Sequence, residues 1–125
     1  MNKESLISYT VSTNISILEC ANIISSLKTR AVLVSDYELH IIGLISEGDI
    51  FRALLNDASI HALINPFFNK NFAFLDEEDE FNIQYMKKLF LIDQYTILPI
   101  LDKKMYLKDI YTLKDYLKDI HDNKF

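Results

Sequence analysis

Apolar residues recur at helical spacing in Ile17, Cys20, Ala21, Ile24 and Leu27, which predicts a helix across the stretch SILECANIISSLK. Its start is legible. Ser16 is followed three residues later by Glu19, a capping box, and Ile15 and Cys20 are placed to form the hydrophobic staple around it. Two β-branched runs come next in AVLVSDYELHIIGLIS, separated by a polar turn around Asp36, Tyr37 and Glu38, and they predict an antiparallel hairpin. A second helix is expected from about Glu47 to Asp57. With a short strand in front, the first half reads strand, helix, strand, strand, helix.

The second half repeats that order. FNIQYMKKLFLIDQ is helical, TILPILD is a strand turning at Asp102, Lys103 and Lys104, MYLKDIY is its partner, and TLKDYLKDIHD closes with a helix. Without gaps, Ile17 superposes on Ile83, Asp36 on Asp102 and Asp49 on Asp115, each by 66 residues (115 − 49 = 66). Apolar positions keep the register, as in Val32 with Leu98, Val34 with Ile100 and Ile41 with Leu107. The chain therefore reads as an internal duplication. The join falls around Ser59 to Lys70, where Pro66 disfavours a helical residue before it. Phe67, Phe68, Phe72 and Phe74 are expected to pack between the halves.

One short motif occurs in both halves where the last strand gives way to the last helix: Ser46-x-x-Asp49 and Thr112-x-x-Asp115. A hydroxyl at the N-cap and an acid three residues on form a capping box that contributes about 1 kcal/mol. The same geometry suits a ligand. Free N–H groups and positive potential at a helix start attract an anion, and a carboxylate can accept from two ribose hydroxyls. Arg30 offers a fork for phosphate, whereas its counterpart is Thr96.

Other candidates are weaker. The run Asp76-Glu77-Glu78-Asp79-Glu80 lacks the spacing and the glycine of a calcium loop and reads as a solvated turn. It would repel a phosphorylated ligand within a Debye length of about 8 Å. His40, His61 and His121 have no metal-ligand spacing, and Cys20, on an apolar helix face, reads as a buried inert thiol. No nucleophile elbow or P-loop is present, so no catalytic residue is expected.

Composition narrows the class. A formal charge of −5, with 18 acids against 13 scattered bases, disfavours nucleic-acid binding. A single cysteine excludes an internal disulfide and points to a reducing cytoplasm. No signal peptide and no apolar run of membrane-spanning length, about 18 residues, is read.

The repeated order and the stretch VLVSDYELHIIGLISEGDIFRALL resemble a tandem cystathionine β-synthase (CBS) domain pair, also called a Bateman module. GLISEGDI is similar to that family's strand-to-helix junction and ILPILD to its h-P-h-h-D strand, where h is an apolar residue. EGDIFRALLND is closest to CBS pairs attached to sugar-nucleotide nucleotidyltransferases. The resemblance implies an α/β (α+β) fold of two repeats, residues 1–62 and 63–125, about a pseudo-twofold axis with two clefts. It implies a non-catalytic regulatory module that binds AMP, ADP, ATP or S-adenosylmethionine, forms a homodimer and controls an attached or partner enzyme.

Carried over by position, Asp49 and Asp115 would hold ribose, and Ser46 and Thr112 would approach phosphate. Val11 and Thr13, with counterparts around Glu77 and Asp79, would flank the base. Gly43 is replaced by Asp109 in the second repeat, which restricts close backbone approach there. The first repeat, with Arg30, Gly43, Ser46 and Asp49, is thus the expected binding site. The alternative is a dimerisation or docking module with vestigial clefts.

Overall fold

The computed structural model describes residues 1–79 and 82–125. A short helix α1 (Lys3–Ile7) precedes β1 (Thr10–Ser12), α2 (Ile17–Ser26), β2 (Ala31–Tyr37), β3 (His40–Ser46) and α3 (Glu47–Leu55). The second half contains β4 (Leu75–Asp76), α4 (Ile83–Lys87), β5 (Ile97–Leu101), β6 (Leu107–Thr112) and α5 (Leu113–His121). After α4 the helix continues in π geometry through Lys88–Ile92, closed by a bond from the Asp93 N–H to the Lys88 carbonyl. Two three-stranded sheets result, in the orders β1-β2-β3 and β4-β5-β6. The expected α/β order is present in both halves, and α1 is an addition that the hydrophobic pattern did not mark.

The 66-residue register extends to the strand pairing. Ala31 pairs with Ser46 and Val34 with Gly43, as Ile97 pairs with Thr112 and Ile100 with Asp109. Even the bulge recurs, between Val34 and Ser35 and between Ile100 and Leu101. The first strands break the register. Val11 lies beside Val34, and Leu75 lies beside Ile100, so Leu75 is the twin of Val11 and Glu77 that of Thr13. From Ser12 to the cap Ser16 is four residues, and from Asp76 to the cap Asn82 is six (16 − 12 = 4; 82 − 76 = 6). The two extra residues fall in the acidic turn.

β2 is apolar at consecutive positions because both of its faces are covered. Val32 and Val34 face the first repeat's own core with Ile17, Cys20, Ile24, Ile45 and Ile50. Ala31 and Leu33 enter a second core shared between the repeats, with Ile41 and Leu44 from one and Ile97, Leu101, Leu107 and Ile110 from the other. Met86, Leu89, Phe90, Leu98 and Tyr116 form the second repeat's own core.

The segments that lead into each repeat cross over. α1 packs against β6, and Leu6 is buried in the shared core. Phe72, ahead of β4 in the second repeat, packs on that same core. The aromatic linker is therefore divided: Phe72 joins the two halves, whereas Phe67 and Phe68 pack on the first repeat's core and Phe74 is exposed. Asn69 exchanges two backbone bonds with Leu44, at 2.8 and 3.0 Å, which lays the linker along the outer edge of β3.

That contact explains Gly43. A Cβ there would lie 2.3 Å from the Phe68 ring and 2.8 Å from the Asn69 carbonyl. The glycine gives space to the chain's own linker, not to a ligand. Gly43→Ala is expected to destabilise the fold by roughly 1–3 kcal/mol through overpacking. Equilibrium urea denaturation should show that Phe68→Leu in the same chain recovers part of the loss.

Each hairpin carries an aspartate at the same place, not at the turn tip, which lies at Glu38-Leu39 and Lys103-Lys104. Desolvation pulls Asp36 upward, but hydrogen bonds from His40 and the Tyr37 N–H outweigh it and hold the carboxyl below its ordinary range. The Tyr106 N–H holds Asp102 low against slight desolvation, aided by the Lys104 N–H and Lys108. Both folded values lie below the unfolded value of about 3.9, so their stabilisation is complete above that pH and lost as pH falls through the folded values. Asp102→Asn is accordingly expected to flatten the decline of stability measured by urea denaturation below about pH 4.

Candidate functional site

Helix starts decide where a ligand could approach. At α2 the Ile17 and Leu18 N–H groups donate to the carbonyls of Ala62 and Ile60, at 2.8 and 2.9 Å, and Ser16 and Glu19 complete a capping box. The linker thus closes that end. α3 and α5 begin differently. The Glu47 N–H donates to the Arg30 carbonyl and the Leu113 N–H to the Thr96 carbonyl, both at 3.0 Å, tying each start to the front of the neighbouring strand.

Both repeated motifs form complete capping boxes. Asp49 Oδ2 accepts from the Ser46 N–H and hydroxyl at 2.9 and 3.0 Å, and Ser46 Oγ accepts from the Asp49 N–H at 3.1 Å. Thr112 and Asp115 repeat this at 2.9, 2.9 and 3.1 Å. The remaining oxygens differ. Asp49 Oδ1 takes the Arg52 guanidinium at 2.7 Å, whereas the equivalent residue at Asp115 is Lys118, which forms no ion pair with it among the described residues.

Two clefts lie between the repeats, each built from the α-helix start of one and the helix-to-strand link of the other. The first brings Ser46 and Asp49 together with Asp93, Gln94, Tyr95 and Thr96 in a cavity of about 200 Å³. The second brings Thr112, Leu113 and Lys114 together with Leu27, Lys28, Thr29 and Arg30 in a cavity of about 650 Å³, with Tyr9 and Leu117 as further walls. Ligand sites commonly occupy about 300–1,000 Å³, so only the second cleft is of that size.

The link residues differ in size. Thr29 of the larger cleft is matched by Tyr95 in the smaller, whose hydroxyl accepts the Ala73 N–H at 3.2 Å. Asn69 of the linker also covers the smaller cleft. Charge differs as well. Among the described residues lining it, the larger cleft has Lys28, Arg30 and Lys114 and no acid. The smaller has Asp49 and Asp93 and no base.

The residues singled out by sequence are thus distributed, not gathered. Arg30 shares a cavity with Thr112, across the repeat boundary, and not with Ser46 and Asp49. Its backbone is left-handed (φ 57°), which costs a side-chain-bearing residue about 1–2 kcal/mol, and its guanidinium is exposed, 3.9 Å from Glu47. Val11 is buried in the first repeat's core, and Thr13 is half-buried outside these cavities. Asp115 stands beside the larger cleft's Lys114 without lining it. Sequence reasoning missed Lys28, Lys114 and Tyr9, which come together only because the cleft is shared between the repeats.

Asp76, Glu77 and Asp79 line a separate cavity of about 420 Å³ with Phe74 and Tyr85, away from both clefts, while Glu80 lies outside the described residues. The described residues hold no group of three or more His, Cys, Asp or Glu placed for a metal, and no helix among them is long and apolar enough to cross a membrane. Burial pushes the Cys20 thiol up to about 11, which suits a packing role.

The fold defined by these elements is that of a CBS domain pair. Residues 1–56 match the CBS domain family. A CBS domain pair/ACT domain protein from Thermotoga maritima superposes with a TM-score of 0.72 at 25% identity, over 98% of both chains. The CBS domain pair of protein MJ0100, in complex with 5′-methylthioadenosine and S-adenosyl-L-methionine, gives 0.72 at 21% identity over 93% of this chain and 89% of that one. The cytosolic domain of the Mg²⁺ channel MgtE, in complex with ATP, gives 0.68 at 17% identity over 89% of this chain and 44% of that one. No curated protein sequence matches the chain.

Since Asp49 serves its own helix and Arg52, Asp49→Ala is expected to cost about 1 kcal/mol, and Asp49→Asn less because an amide still caps. Thermal and urea unfolding of the two variants measure that difference.

Proposed function

We propose that the chain is a regulatory module that binds an adenosine-bearing ligand in the larger inter-repeat cleft. The observation that carries this reading is the cavity of about 650 Å³ whose walls come from both repeats and end on the Thr112-capped start of α5. Apolar Leu27, Leu113 and Leu117 offer a surface for a base, and polar groups at the helix start offer partners for ribose or phosphate. Related folds with adenosine ligands, among them S-adenosyl-L-methionine, 5′-methylthioadenosine and ATP, support the ligand class.

A ligand touching both repeats binds best to the arrangement in which the α5 start and the α2–β2 link stand at the right separation. Occupancy then shifts the population of that arrangement, which an attached or partner enzyme can sense. The resemblance of EGDIFRALLND points to a sugar-nucleotide nucleotidyltransferase as that enzyme.

A second reading has its own observation. Phe51 and Leu54 on α3 are exposed, and so are their twins Leu117 and Ile120 on α5. These matched apolar positions favour dimerisation or docking. Sedimentation equilibrium with Phe51→Glu measures it, a shift towards monomer being the outcome expected from that reading.

Isothermal calorimetry with AMP, ADP, ATP and S-adenosylmethionine tests the ligand reading. A ligand of about 23 non-hydrogen atoms, at roughly 0.3 kcal/mol per atom, should bind with a Kd of about 10 µM. Ser26→Trp, at the exposed end of α2 on the cleft wall, should weaken binding more than about tenfold by filling the space. No binding of any of the four at millimolar concentration would sink the proposal.

A further inference from the structure

The two clefts are built from equivalent positions, yet their charges are opposed. Lys28 stands where the other cleft has Gln94, Arg30 where it has Thr96, and Leu27 where it has Asp93. Lys114 stands where the other repeat has Gly48. Among the described residues, three cations and no acid line one cavity, whereas the other is lined by two acids, each ion-paired outside the lining with Arg52 or Lys88, in a chain of net charge −5.

The geometry points to a division of labour. One cleft only, that of Thr112, takes ligand, and it selects the polyphosphate forms of adenosine over cationic or uncharged adenosyl compounds. This rests on the adenosine reading above and adds the ligand's charge and the stoichiometry.

The cations are available for that task. Arg30 has only a long contact of 3.9 Å to Glu47, with both side chains mostly exposed, so a bidentate phosphate contact displaces little. Lys28 and Lys114 form no ion pair among the described residues. They approach from opposite repeats, one beside Arg30 and one in the first turn of α5. A chain of two or three phosphates can reach both sides, whereas a single phosphate engages fewer. A sulfonium meets like charge. The other cleft has about a third of the volume (200 against 650 Å³), and its Asp49 and Asp93, held by Arg52 at 2.7 Å and Lys88 at 3.2 Å, offer a phosphate no donor.

The test is calorimetry on the intact chain in EDTA, with ATP, ADP, AMP, adenosine and S-adenosylmethionine, at about 50 and about 300 mM salt. Affinity is expected to rise with phosphate number, to fall at the higher salt for the phosphorylated ligands, and to give one ligand per chain. Arg30→Gln and Lys114→Gln should each weaken ADP about tenfold and leave adenosine unchanged. Circular dichroism checks that these exposed-site variants keep the fold. Adenosine or S-adenosylmethionine binding as tightly as ADP, or two equivalents per chain, overturns the inference but leaves the adenosine site standing. Failure of all five ligands overturns both.

Discussion

The arrangement of the whole molecule depends on one reciprocal contact at the hairpin tips. The Ile41 N–H donates to the Met105 carbonyl at 2.9 Å, and the Leu107 N–H donates to the Leu39 carbonyl at 2.8 Å. The two bonds are exchanged by the 66-residue shift, so the pseudo-twofold axis passes between His40 and Tyr106, which pair across it. Leu39 and Met105 both adopt left-handed backbone, with φ of 61° and 70°. Side-chain-bearing residues resist that conformation, and the reciprocal bonds offset the cost. The rings of Tyr37, His40 and Tyr106 gather around the junction, with centroids 5.0 to 6.2 Å apart. With the tips joined, the inner faces of β2, β3, β5 and β6 have one way to meet, and the clefts open at the far ends of those strands.

Pseudo-symmetry of the backbone then makes the side chains at matched positions comparable one by one. The clefts have equivalent walls, and their difference is confined to a few substitutions in the helix-to-strand links. Tyr95 stands in place of the smaller Thr29, and Gln94 and Thr96 in place of Lys28 and Arg30 remove the positive charge of the wall. The two clefts share one backbone design and differ by side-chain changes that leave the strand register intact.

Much of this was legible in sequence. Capping boxes at Ser16, Ser46 and Thr112 announce helix starts because the acid three residues on has few other uses there. The 66-residue shift is written in paired apolar positions and holds through five rungs of the two hairpins, from Ala31–Ser46 with Ile97–Thr112 to Ser35–Ile41 with Leu101–Leu107. It fails at the first strand, since an acidic turn has no hydrophobic period to reveal two extra residues. Gly43 reads in sequence as room for close approach of a ligand, because nothing along the chain tells that Phe68 and Asn69 fill its space. Arg30 was assigned to the wrong neighbours for a related reason. Spacing along a repeat reports which groups share an element, whereas each cleft is shared between repeats, and the partner across a pseudo-twofold axis has no signature along the chain.

The crossing of the leading segments has a further consequence for how the chain behaves as a whole. Leu6, ahead of the first strand of the first repeat, is buried against β6 of the second, and Phe72, ahead of the first strand of the second, packs into the same shared core, while Asn69 lines the edge of β3 in the first. Each repeat thus wears the other's opening segment, as two subunits do after exchanging arms, here within one polypeptide. Neither half has a full set of its own contacts to fall back on. Opening the junction between them bares Leu6, Phe72 and the inner strand faces together, so the two repeats are tied into one cooperative unit of unfolding.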